Sequence, residues 1–589
     1  MIDIHRKSVS TTSSNSPKSH IIFWLSLSLL FAAIYSYLAL QQAFSSEYVV
    51  QDDARQHVFW MLRFLDPNLF PNDLIANYFQ SVAPAGYSSL YHLLASIGIN
   101  PLLFNKILPS IMALITTGYC FGICLQILPI PFTGFIAIVM LNQNLWVKDD
   151  LVSATPRAFV YPLFFAFLYY LLRRSLFFCL IAIALLGVFY PQMVFICAGI
   201  LVLRLWTWER GKLQFSRKRH DYLFCATGVG VGILVLLPYA LKSSAFGPVI
   251  TLAQARQLPE FFAGGRSQFF NGNPWYYFLG GRSGIFPIFF WTPITLFSSF
   301  LLPILLLIRP RFPVLRKITR EIGLLLQILL ASFFMFFAAH ILLFKLHLPN
   351  RYTGHSLRII VAISAAIVLT TIIDAVLSTS FVKNRIYGYI QKIFVLVFTF
   401  SLTILLLFYY PLLLNKFPKT AYKIGRFPLL YEFVQKQPKD TLIASIAEES
   451  NNLPTFSQRS ILVGREYAIP YHLGYYNKFR QRIIDLLQAH YSPNLEDVTK
   501  LINKYDIDLW MLESGVFTAD YIKNNRWLKQ YLSSKLTGDE LVKLTNDIVQ
   551  SLEQGNIPAL SKVVPSCTVA EIQNYLMLDA KCISKTSEN

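Results

Sequence analysis

Charge is scarce in this chain. Only 14% of its 589 residues are Asp, Glu, Lys or Arg, against about a quarter in soluble globular proteins. Cysteine is scarcer still: seven residues, with no Cys-x-x-Cys pair and no Cys/His metal spacing, which argues against a zinc module or a disulfide framework. No GxGxxG, Walker or nucleophile-elbow pattern occurs, so the common nucleotide-binding and serine-hydrolase signatures are missing. What fills the space is apolar, with 54% hydrophobic and 15% aromatic residues. Runs long enough to span a bilayer recur from Ile21 to about Leu414.

Beyond that point the chain reads as ordinary soluble protein. The division is a polar N-terminus at 1–20, a membrane domain at 21–415 and a soluble domain at 416–589, long enough for one core. The net charge of +20 is uneven: the soluble part is nearly neutral, while the rest holds 31 of the 52 Lys/Arg and 13 of the 32 acids. A uniformly basic chain would suggest nucleic acid. Here the excess lies in short loops between apolar runs, which is a topology signal, and no nucleic-acid partner is expected. Arg6, Lys7 and Lys18 precede the first run, which is too long for a signal-peptide core and reads as an uncleaved span.

Spans are expected near 21–44, 103–127, 131–147, 155–173, 176–189, 191–208, 222–241, 286–308, 321–344, 357–378 and 389–414. The fold class is thus a polytopic helical membrane domain of about eleven spans, with eleven to thirteen admitted, followed by a small α/β domain. The 45–102 segment is expected as one long outer loop; a crossing within 81–98 would invert everything downstream. With the N-terminus inside, the inner connections are Arg173-Arg174 and the basic runs 209–219, 309–320 and 383–392, as the positive-inside rule requires. The C-terminal domain then lies outside, as do eight of the thirteen membrane-domain acids.

Those outer polar residues gather in clusters. The first is Asp52-Asp53, with His57 one helical turn on. Adjacent carboxylates near a membrane are costly unless solvated, paired or metal-bound; the bland alternative is that one of them caps an interfacial helix. The second is Asp149-Asp150, followed by Pro156 and Arg157, with a capped helix start as its bland reading. The third surrounds Arg351, between His347 and His355. An Arg beside two histidines suits a phosphate, although snorkelling to lipid headgroups would also place it there. The 242–285 loop repeats Gly-Gly-Arg-Ser at Gly264 and Gly280, most simply as turns within an aromatic belt. Tyr190-Pro191-Gln192 reads as a turn without chemistry.

In the soluble part, 440–445, 460–464, 506–512 and 575–583 read as strands and 495–504 as a helix, an α/β alternation. Arg465-Glu466-Tyr467 reads most simply as solvated surface. Cys567 and Cys582, the only cysteines outside apolar spans, could form a disulfide in an oxidising compartment or remain two buried thiols.

A first span, a long outer loop opening on Asp52-Asp53, a second acidic pair at Asp149-Asp150 on the same face, many spans and a C-terminal extracytoplasmic domain together resemble the GT-C superfamily of membrane glycosyltransferases. Protein O-mannosyltransferases, lipid A aminoarabinose transferases and oligosaccharyltransferases belong to it. The Trp-Trp-Asp-Tyr-Gly signature of the last branch is absent. The resemblance implies a polyprenyl-phosphate-linked sugar donor, membrane lipid as a partner, and inverting transfer to an acceptor hydroxyl on the non-cytoplasmic face; a single membrane with an oxidising outside is consistent with a bacterial inner membrane, with the endoplasmic reticulum as the alternative. It implies Asp52 or Asp53 as general base, with Asp149, Asp150 and His57 orienting the acceptor or a divalent cation. Arg351, Arg157 and His355 would bind the donor phosphate. A lipid or solute transporter, a flippase, and a non-catalytic GT-C-like envelope-assembly protein are the alternatives.

Overall fold

A computed structural model describes residues 17–588 except 148, 210, 242–244, 288–289, 380–384 and 415–416. Arg6, Lys7 and Lys383, used above to orient the chain, fall outside the described residues. Among the described residues five helices are long and apolar enough to cross a membrane: Lys18–Ala43, Pro101–Ile127, Arg219–Leu241, Arg320–Ile341 and Asn350–Ser378. Five shorter apolar helices accompany them: Pro156–Leu172, Leu176–Phe189, Gln192–Leu203, Ile294–Leu307 and Ile393–Tyr409. Pro131–Leu145 is buried along its whole length, as expected of a helix surrounded by others. Each expected span thus has a helix, but among the described residues five reach spanning length, so eleven crossings are not established.

The 45–102 segment holds no helix longer than the 12 residues of Ala85–Ser96, well short of the about 20 a crossing needs. It carries strand β1 (Val49–Gln51), two short helical turns (Ala54–His57 and Phe59–Phe64) and the helices Leu74–Val82 and Ala85–Ser96. The expected span 191–208 ends early, at Leu203. The chain then turns into a hairpin of β2 (Trp206–Glu209) and β3 (Lys212–Phe215).

The C-terminal region is joined to this loop by backbone hydrogen bonding. Strand β4 (Tyr422–Ile424) pairs antiparallel with β1, placing Val49 opposite Ile424 and Gln51 opposite Tyr422. Gly425 follows and donates its N–H to the Tyr48 carbonyl at 2.7 Å. A Cβ there would lie 2.5 Å from the Tyr431 ring and 2.8 Å from the Tyr48 Cβ, so only glycine permits this approach. Next comes a mixed sheet of β5 (Leu442–Ala444), β6 (Ser460–Ile461), β7 (Leu509–Glu513), β8 (Thr568–Ile572) and β9 (Tyr575–Asp579), in the order β6-β5-β7-β9-β8. The β5 pairings are parallel and those of β9 antiparallel. The α/β alternation is present, with two differences. Strand β8 has no counterpart among the expected strands, and the chain leaves β9 at Asp579 to end in the helix Ala580–Glu588. That helix returns Cys582 to Cys567, and the two form a disulfide closing 15 residues.

Candidate active site

Asp52 and Asp53 follow β1 at the point where the backbone turns into Ala54–His57. Asp53 occupies the N-cap position but makes no side-chain capping bond. Its carboxylate instead meets the guanidinium of Arg157. The Arg157 Nη2 also stands 3.1 Å from Asp149 Oδ2, and its Nη1 3.5 Å from Asp150 Oδ1. The two acidic pairs, roughly a hundred residues apart in sequence, therefore converge on one arginine. Pro156 sits in the first position of the turn that carries Arg157, where its missing N–H costs nothing. Behind this group, Arg358 Nη1 reaches Asp150 Oδ2 at 2.9 Å and donates to the Tyr161 hydroxyl at 3.2 Å. That hydroxyl also bonds His355 Nδ1 at 3.1 Å.

Asp52 pairs with Arg55 on its own turn and with Lys423 of β4 at 3.6 Å. Arg55 in turn bonds Asn452 at 2.9 Å and Glu466 at 3.4 Å, while Gln56 and Arg266 both reach Glu466. Glu466 is not solvated surface, as the sequence suggested: its side chain is only 11% exposed. Burial alone would raise its carboxyl pKa, but Arg266, Arg55 and the Gln56 hydrogen bond outweigh that and hold it below the usual value.

These groups line a cavity of about 1940 Å³ between the helices and the C-terminal sheet region. Asp52, Asp53, His57, Asp149, Arg157 and Arg351 are on its wall. Asp150 and His355 are not; both are buried behind it. Arg351 rises from the short helix Asn350–Thr353 into the cavity, not out to lipid. Among the described residues no carboxylate forms an ion pair with Arg351, and its Nε has no hydrogen-bond partner. Arg282 lies in the same wall, held by the Tyr471 hydroxyl at 3.1 Å. Burial, with Arg266 and Arg351 assisting, lowers the His57 pKa to about 4. Burial with Arg351, Arg282 and His472 lowers that of His347 to about 3. Both imidazoles are neutral near pH 7.

Several wall residues were discounted in the sequence. Arg266 and Arg282, from the Gly-Gly-Arg turns, face the cavity, as do Tyr190, Pro191 and Gln192. Arginines flanked by glycine turns were the available signal for the first two. Nothing in the sequence singled out Arg358, which opens an apolar run.

No protein-family model and no curated protein sequence matches the chain. Solved structures do. The oligosaccharyltransferase of Archaeoglobus fulgidus in its apo form superposes with a TM-score of 0.53 at 11% identity, over 89% of this chain and 72% of that one. The same enzyme, AglB, in complex with an inhibitory peptide and a dolichol-phosphate gives the same values. The fold is that of the GT-C membrane glycosyltransferases. ArnT from Cupriavidus metallidurans bound to undecaprenyl phosphate matches over 96% of this chain and 98% of its own, at 12% identity and a TM-score of 0.45, too weak to argue from.

On this GT-C scaffold a divalent cation would need the carboxylates of the two acidic pairs. Among the described residues no three His, Cys, Asp or Glu side chains are grouped to hold a metal. Asp53, Asp149 and Asp150 are arranged around a guanidinium, an arrangement that does not fit a cation at their centre.

Proposed function

We propose that this GT-C-fold protein is a membrane glycosyltransferase that moves a sugar from a polyprenyl-phosphate donor to an acceptor hydroxyl, with inversion. One observation carries the reading: Asp52, Asp53 and Asp149, from two acidic pairs distant in sequence, lie on the wall of one large cavity that also presents Arg351, which among the described residues forms no carboxylate ion pair. A single small-ligand pocket is about 300–1,000 Å³. A cavity of about 1940 Å³ has room for a donor headgroup and an acceptor together.

In this reading Asp53 is the base, with Asp52 beside it. The carboxylate takes the acceptor proton as the hydroxyl oxygen forms its bond to the anomeric carbon. The bond from that carbon to the phosphate oxygen breaks on the opposite face, and the polyprenyl phosphate leaves with one more negative charge. Attack opposite the leaving group inverts the centre. Arg351 meets the growing charge, with Arg282 on the same wall. His57, neutral near pH 7, and Asp149 are placed to orient the acceptor. Arg157, expected at the phosphate from the sequence, is turned to the carboxylates and holds them. His355 and Asp150 act from behind the wall through Tyr161 and Arg358. The basic inner loops and the Cys567–Cys582 disulfide support a C-terminal domain on the outer, oxidising side of the membrane, which in this reading is a bacterial cell membrane.

The test is transfer from polyprenyl-phosphate sugars by the protein in liposomes. Wild type should transfer, and the Asp52→Asn/Asp53→Asn double variant should insert normally and transfer nothing. Undiminished transfer by that variant would remove the assigned base. Uptake or lipid flipping that needs no sugar donor would favour a transporter.

A further inference from the structure

The three carboxylates that a divalent cation would require are already bridged by an arginine side chain. Arg157 touches Asp53 from the first outer loop and Asp149 and Asp150 from the second cluster. Arg358 then takes the far oxygen of Asp150 at 2.9 Å. Two guanidinium groups thus face three carboxylates. A planar guanidinium offers five N–H donors in a fixed fork and can span several carboxylates, whereas Mg²⁺ or Ca²⁺ needs six or more oxygens turned to one point. Here the oxygens of three carboxylates from two chain segments turn to Nη1 and Nη2 of a side chain that is only 13% exposed.

We propose that Arg157 is the fixed cation of this site: it bridges the two acidic pairs in the place of a divalent metal, and sugar transfer does not require one. The activity arm of the proposal rests on the transferase reading; the binding arm does not. Arg157 is a positioning residue. It holds Asp53 at the cavity wall, and its own contacts are to carboxylates, not to substrate.

Two measurements on the full-length wild-type protein decide it. The first is Mn²⁺ binding by electron paramagnetic resonance, compared with the Asp53→Asn/Asp149→Asn variant. Only weak binding, about millimolar and equal in the two, is expected. A dissociation constant below about 100 μM that weakens tenfold or more in the variant would overturn the proposal. The second is transfer in EDTA against transfer in MnCl₂, expected equal within about twofold. A tenfold loss in EDTA restored by Mn²⁺ would overturn the proposal while leaving the transferase reading intact. Absence of transfer from every polyprenyl-phosphate sugar would instead sink that reading, and the binding measurement would still judge the bridge. Arg157→Ala supplies a positive arm. Its kcat should fall at least a hundredfold with KM for the donor little changed, and guanidinium chloride, not Mn²⁺, should restore part of it. Restoration by Mn²⁺ alone would count against the arginine bridge.

Discussion

Replacing Arg358 with leucine tests whether the rear clamp on Asp150 organises the site. The Arg358 side chain is 1% exposed and that of Asp150 4%, with nitrogen and oxygen 2.9 Å apart. At an effective dielectric of about 20, unit charges at that separation attract by roughly 5–6 kcal/mol. Part of this attraction offsets the desolvation of both groups, and breaking a buried pair from one side typically costs about 3–5 kcal/mol. Because Arg157 remains 3.5 Å from the other Asp150 oxygen, the lower end applies: Arg358→Leu should destabilise by about 3 kcal/mol. The Arg358→Leu/Asp150→Leu double variant removes both charges and should lose clearly less than the sum of the two single variants. Unfolding by SDS titration in mixed micelles, followed by tryptophan fluorescence, gives all four stabilities. A loss below about 1 kcal/mol for Arg358→Leu, or strict additivity in the cycle, would refute the clamp.

The remaining predictions concern the site and the C-terminal domain. Asp53→Asn should lower kcat by about 10²–10⁴, the range of a general base; Asp52→Asn should cost less, since Asp52 pairs mainly with Arg55 and Lys423, and equal losses in initial-rate assays would count against this division. Arg351→Ala should lower kcat by about 10²–10³ with Arg351→Lys intermediate, whereas a change confined to KM would assign Arg351 to ground-state binding. His57 has its pKa lowered to about 4 in the fold, so between about pH 6.5 and pH 4 the unfolded chain binds more protons there and acid lowers stability; His57→Gln should flatten the pH dependence of unfolding across that window, and an unchanged slope would contradict the assignment. Reduction of Cys567–Cys582, which closes 15 residues, should destabilise the C-terminal domain by about 3 kcal/mol, read as a lower unfolding midpoint in dithiothreitol.

Much of the fold could be read from the sequence because apolar runs and basic loops are physical consequences of a bilayer. Asp52-Asp53 and Asp149-Asp150 stood out for a related reason: carboxylates are conspicuous where charge is rare. Their partners were not legible. Whether Asp53 capped a helix or faced a site depended on where Arg157 lay in space, and that is a tertiary fact. Glu466 looked like surface because its three partners come from the first outer loop and the Gly-Gly-Arg loop. Strand β8 was missed because its side chains alternate only weakly between exposed and half-buried, so the sequence shows no clear period of two. The strand expected at 575–583 was overextended because Ala580, Cys582 and Ile583 supply apolar residues past Asp579, where the chain turns into a helix.

The pairing of β1 with β4 has a consequence in time. Gln51, the residue before the acidic pair, bonds to Thr420, 369 positions later, and the groups that hold Arg55 and Gln56 come later still, at Asn452 and Glu466. A chain still being synthesised, with every helix of the membrane domain complete, has no partner for β1 and, although Arg157 can already meet Asp53, lacks the hold that Asn452 and Glu466 give to Arg55 and Gln56 on the turn beside it. The turn that carries the acidic pair gains the last of its holds only after the C-terminal region has been made and has folded back onto the first loop. A chain cut off anywhere before Glu466 therefore carries an incomplete site, without the carboxylate that Arg55, Gln56 and Arg266 share.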